Sequence, residues 1–130
     1  MRKTMVGASF LIVATLACHQ QTPEQAAART ARNVITQDEI DSTRASNVYD
    51  LIARLHADYL KDRGTVSIKT NKRERAIVFL NEQEYGIPET LRNLQPERFS
   101  EIRYFSSTEA VSKFGSQYGG GVIQLISRTQ

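Results

Sequence analysis

The chain begins Met1-Arg2-Lys3-Thr4-Met5, and residues 6–16 that follow carry no charge and are mostly apolar. This leader limits what the chain can fold into more than any other feature. A basic start joined to an apolar run too short to cross a bilayer as a helix has the profile of an export signal, which is removed from the mature protein. Of 130 residues, the remainder leaves room for one domain with one small core. The hydrophobic fraction of 40% against 24% charged residues fits a globular domain rather than a disordered or membrane-embedded one.

The leader closes on Thr15-Leu16-Ala17-Cys18, a small residue directly before the only cysteine. This resembles the lipobox of bacterial lipoproteins, with Thr15 and Leu16 transposed relative to its commonest order. The resemblance implies cleavage before Cys18 and lipidation, with palmitate-type acyl chains, of that residue. A plain secretory cut after Ala17 would leave a lone thiol in an oxidising compartment. Acyl chains contribute roughly 0.8 kcal/mol per buried CH₂, so a multiply acylated terminus is a durable membrane anchor. His19 follows the cysteine where an inner-membrane retention signal would place Asp, so the sorting rule of better-known lipoproteins implies the outer membrane, facing the periplasm.

Export also resets the charge. Cleavage removes Arg2 and Lys3 from 17 basic residues, leaving 15 against 14 acidic ones, a formal charge near +1. No dense Lys/Arg stripe of a nucleic-acid binder is present. The expected partners are therefore the membrane, through the lipid, and an envelope protein, with no nucleic acid; the sequence leaves the oligomeric state open.

Three segments follow: a signal peptide at 1–17, a polar, Ala-rich spacer at 18–33 with little to bury, and a domain at 34–130. Val34-Ile35 is a short apolar step. Thr36 and Glu39 match a capping box for a helical turn through Ile40. After a cap at Ser46-Asn47, the residues Val48, Leu51, Ile52, Leu55 and Tyr59 recur at helical spacing, up to Gly64. Residues 65–70 alternate as a half-buried strand, and 71–75 read as a hairpin turn. Residues 76–80 (Ala-Ile-Val-Phe-Leu) form a continuous apolar run, expected at the middle of the sheet. Residues 81–87 read as a turn, and Pro88 opens a short helix to Leu94. A strand at 101–105, a helix at 108–114 capped by Thr108 and closed by Gly115, and a strand at 122–127 complete the chain. The expected fold class is α+β, a small mixed β-sheet with short helices.

Four segments carry a likeness at family level: residues 35–40 (Ile-Thr-Gln-Asp-Glu-Ile), residues 47–52 (Asn-Val-Tyr-Asp-Leu-Ile), residues 77–80, and the block holding Glu101-Ile102-Arg103-Tyr104, Ala110, Phe114-Gly115 and Gly120-Gly121-Val122-Ile123. Together they resemble the plug domain of TonB-dependent outer-membrane receptors over nearly all of residues 34–128. The chain departs from that pattern at Asn81-Glu82, where the family usually has Asp-Gly, and at Phe105-Ser106, where it usually has Arg-Gly. The sequence also holds no barrel segments, so the resemblance implies a stand-alone plug rather than a transport channel. It implies a binding or assembly module that docks on an envelope protein.

The chemistry-bearing residues argue in the same direction. His19 and His56 are the only histidines, no His/Cys cluster has zinc-ligand spacing, and no nucleophile, base or metal constellation is present, so no catalytic residue, metal or cofactor is expected. His56 reads as a partly exposed helix residue, and Asp38, Glu39 and Asp41 as helix-start carboxylates favoured by the dipole. Lys69, Lys72, Arg73 and Arg75 gather around one hairpin, where each could contribute on the order of 1 kcal/mol of attraction to anionic head groups; the plainer reading is a solvated turn. Asn81, Glu82, Glu84 and Tyr85, with Ser106, Ser107 and Thr108, are the candidate partner or ligand loops. On the alternative reading, a small-molecule binder, they would receive a siderophore, glycan or cobalamin-like ligand. Tyr85, Tyr104 and Tyr118 could furnish an exposed face, and Gly119-Gly120-Gly121 reads as a turn demanded by tight backbone geometry.

Overall fold

The computed structural model describes residues 32–62 and 75–128. The leader, the spacer up to residue 31, the expected strand at 65–70, the turn at 71–74, and Cys18, Lys69, Lys72 and Arg73 all lie outside the described residues.

Among the described residues five strands form one mixed, open sheet: β1 (Val34–Ile35), β2 (Ile77–Leu80), β3 (Gln83–Gly86), β4 (Phe99–Phe105) and β5 (Val122–Ser127), in the order β1-β4-β5-β2-β3. Only β2 and β5 run parallel; the other pairs are antiparallel. The helices are short: α1 (Gln37–Thr43), α2 (Val48–Leu55) and α3 (Ser107–Phe114), with 3₁₀ turns at Ala57–Leu60, Pro88–Asn93, Pro96–Arg98 and Ser116–Tyr118. The α+β expectation holds.

Several local expectations change for physical reasons. The strand order puts β5 at the middle and residues 76–80 one place out: Val122, Ile123 and Leu125 are fully buried, and β2 is likewise covered on both faces at Val78 and Phe79 but leaves its end residues Ile77 and Leu80 half-buried. The turn expected at 81–87 shrinks to Asn81-Glu82, with Asn81 at a φ of 55°, and the chain returns as β3. The long apolar helical repeat breaks at His56, whose φ of −145° ends α2; Leu55 is 38% exposed and Tyr59 is buried from a 3₁₀ turn. Ser106, not Thr108, caps α3, its backbone N–H and Oγ both donating to Glu109 Oε2 at 2.8 and 2.7 Å. The caps expected at Thr36 and Asn47 form: Thr36 N and Oγ1 donate to Glu39 Oε2 at 2.8 and 2.9 Å, and Asp50 N donates to Asn47 Oδ1 at 2.8 Å.

The two faces of the sheet differ. On one, Ile40, Val48, Leu51, Ile52 and Tyr59 pack onto Ile35, Val78, Ile102, Tyr104, Ile123 and Leu125, the main core. On the other, a smaller cluster of Phe79, Ala110 and Val122, ringed by Phe105, Phe114 and Tyr118, lies under α3. Its rings meet at 4.9 Å (Phe79–Phe114) and 5.4 Å (Phe105–Phe114) between centroids, the range aromatic pairs favour. The fold also takes in the end of the expected spacer, since Tyr104 N donates to Asn33 O at 2.7 Å and Tyr59 OH to Arg32 O at 2.5 Å.

Two devices lock the parallel β2–β5 pair. At one end Asn81 N donates to Leu125 O at 2.7 Å, Ser127 N donates to Asn81 Oδ1 at 3.0 Å, and Gln124 Nε2 donates to Asn81 O, so the turn residue extends the ladder with its side chain. At the other end Ile77 N donates to Gly121 O at 3.0 Å, and a Cβ on Gly120 would lie 2.1 Å from the Arg75 carbonyl oxygen. Gly121, at a φ of 96°, adopts a conformation that side-chain-bearing residues avoid. Thermal melts of Asn81→Ala and Gly120→Ala should separate the two devices. The first is expected to cost about 1–2 kcal/mol as lost hydrogen bonds, lowering Tm by roughly 5–15 °C. Gly120→Ala should exceed it, because the clash is with backbone; equal or smaller loss would contradict this account of the glycine.

Candidate functional site

The two expected loops do not meet. β5 runs from Val122, registered opposite Phe105, to Ser127, bonded to Asn81, so the β2–β3 turn and Ser106 stand at opposite ends of a six-residue strand. At about 3.3 Å per residue that separation is near 17 Å. Several of the named side chains are also committed to structure. Asn81 clamps β5, Ser106 caps α3, and Glu84 Oε2 accepts from Tyr118 OH at 2.9 Å. Ser107 is half-buried and Thr108 is exposed in the first turn of α3. Arg75 is tied to Asp62 at 2.8 Å and to Glu89 at 2.7 Å, so it is less available to a head group than the sequence implies.

What stays open lies along β3. It is an edge strand of the described sheet, and its side chains are exposed. Tyr85 is 44% exposed and Ile87, just beyond the strand, 48%. Of the other tyrosines expected on a binding face, Tyr104 is buried and Tyr118 half-buried.

Beside Tyr85, at the end of the sheet that carries the β2–β3 turn, is a cleft of about 570 Å³. Leu80, Leu94 and Phe99 supply its apolar surface; Glu97, Arg98 and Arg128 supply charge. Arg128 Nε donates to Phe99 O at 2.9 Å and its guanidinium pairs with Asp41, which fixes it across the 3₁₀ turn Pro96–Arg98. Among the described residues neither Glu97 nor Arg98 makes an ion pair. Sequence reasoning did not single out these three charged residues. They are assembled by the fold from the segment before β4 and the end of β5, and no local motif marks them.

His56 is half-buried, as expected, and begins a stack of rings: its centroid lies 4.6 Å from that of Tyr59, which lies 4.3 Å from that of Tyr104. Burial first, then the neighbouring Asp58, Tyr104 and Glu39, push the Tyr59 phenol well above its ordinary value. The helix-start carboxylates behave as structure, Glu39 capping α1 and Asp41 holding Arg128. Among the described residues no group of three His, Cys, Asp or Glu side chains could hold a metal ion, and no helix is long and apolar enough to cross a membrane.

No family model, curated protein or solved structure matches this chain.

The Tyr59 environment makes stability depend on alkaline pH. Below about pH 10 the phenol is neutral in both folded and unfolded chains; above it only the unfolded chain releases the proton readily, so stability falls as pH rises. Denaturant unfolding compared at about pH 9 and about pH 11 should show a smaller alkaline loss in Tyr59→Phe than in the native chain. Equal losses in the two proteins would remove Tyr59 as the cause.

Proposed function

We propose that the chain is an envelope lipoprotein, anchored by lipid on Cys18 in the outer membrane and facing the periplasm, whose plug-like domain is a non-enzymatic docking module for another envelope protein. The leader and the likeness of residues 34–128 to receptor plugs motivate this reading. The observation that carries it is the β3 edge. An edge strand presents backbone N–H and C=O groups that an extended segment of a partner can pair with, and side chains beside it set specificity. Tyr85 and Ile87 put exposed apolar surface next to such an edge, and Tyr is a residue type favoured at interface centres. Anchoring favours such pairing, because a tethered domain meets its partner at a raised effective concentration.

Two measurements test the two halves of this proposal. Intact mass of protein taken from membranes should give a chain starting at a multiply acylated Cys18, lost in Cys18→Ala; an uncleaved or unacylated chain would remove the anchor. A photocrosslinking residue at Ile87 should capture an envelope protein that the same residue at Val111, also exposed but on α3, does not. Tyr85→Lys should abolish that adduct while changing stability by no more than about 0.5 kcal/mol, as exposed substitutions do. The same background pattern at both positions would overturn docking at this edge.

A further inference from the structure

The cleft beside the β2–β3 turn has a chemical signature of its own. Leu80, Leu94 and Phe99 give it an apolar floor, and the half-exposed Tyr85 ring stands at its side. A ligand must therefore bring an apolar body. Its charges come from adjacent residues of opposite sign, Glu97 and Arg98, both exposed and neither in an ion pair among the described residues. The third charge, Arg128, is already neutralised by Asp41 and spent on the Phe99 carbonyl.

That combination discriminates between ligand classes. A purely anionic amphiphile would satisfy Arg98 and leave its carboxylate facing Glu97. A purely cationic one would satisfy Glu97 and leave its charge facing Arg98. A molecule carrying both an ammonium and a carboxylate satisfies both side chains at once, and charge-assisted hydrogen bonds of this kind are the stronger ones. The volume, about 570 Å³, lies within the range of small-ligand sites and exceeds what one amino acid fills. We propose that this cleft binds a short apolar peptide with free termini, its carboxylate on Arg98, its ammonium on Glu97 and its side chains on Leu80, Leu94, Phe99 and Tyr85.

The test is calorimetric titration of the full chain in detergent with leucyl-phenylalanine, its C-amidated form, its N-acetylated form, and octanoate. Saturable binding of the free dipeptide is expected, weakened roughly tenfold or more by amidation and by Arg98→Gln, and likewise by acetylation and by Glu97→Gln. The two losses at each end should not add: amidation should cost little further affinity in Arg98→Gln, because both changes remove the same contact. Both substituted residues are exposed, so melting temperatures near that of the native chain certify that the variants are folded. Absence of saturable binding, equal affinity for the capped dipeptides, additive losses at either end, or octanoate binding as tightly as the dipeptide would each overturn the proposal.

Discussion

Everything else in this domain hangs on β5 being buried on both faces between an antiparallel and a parallel neighbour. Val122, Ile123 and Leu125 lose all contact with water, and the helices on either side of the sheet pack against opposite faces of the same six residues. A parallel pairing such as β2–β5 cannot be closed by a two-residue hairpin, so no turn between the two strands sets its register. Here the ends are Asn81, whose side chain continues the ladder past Leu80, and the Gly120-Gly121 crossing beneath Arg75. Gln124 is the one buried polar residue among those described. Its Nε2 serves the Asn81 carbonyl, while its Oε1 has no partner there, so part of what the clamp stabilises is offset by an unsatisfied group worth about 1–3 kcal/mol.

Strand and helix identity were legible wherever a segment's own pattern decided its burial. Residues 122–127 read as a strand with the bounds they have, and Thr36 and Asn47 cap where their side chains and the following carboxylates say they should. What was not legible depended on partners distant in sequence. Residues 76–80 are the more continuous apolar run, the one expected at the middle; only the strand order that inserts β5 between β4 and β2 puts residues 122–127 there instead. β3 was invisible for a different reason. Gln83-Glu84-Tyr85 at a sheet edge buries little, so it carries no hydrophobic alternation, and only the tight Asn81-Glu82 reversal hints at it. Leu55 fits the helical period and is nonetheless exposed, because the chain leaves the helix at His56 before a further turn can use that face.

The candidate site shows the same division more sharply. Reading Asn81, Tyr85 and Ser106 as loop residues was a local inference, and no local inference could place them at opposite ends of β5. Conversely, Glu97, Arg98 and Arg128 look like ordinary surface charges in the sequence. They become a rim only because Arg128 N bonds the Arg98 carbonyl at 3.0 Å, laying the end of β5 along the turn that precedes β4.

The proposed docking edge and the proposed peptide cleft share one residue. Tyr85 belongs to β3 and also lines the cleft, so a ligand that fixes its ring and a partner strand that pairs along β3 act on the same side chain. Two binding events that order one element are thermodynamically linked, and the linkage is reciprocal: whatever factor the ligand changes in partner affinity, the partner changes in ligand affinity. Its sign follows from the rotamer. If both events hold the Tyr85 ring against Leu80, each removes freedom the other would have to freeze and each favours the other; if the partner requires the ring drawn over the edge, each disfavours the other. Leu94 and Phe99 are buried in the main core beneath, so such a coupling would act through Tyr85 and the exposed rim.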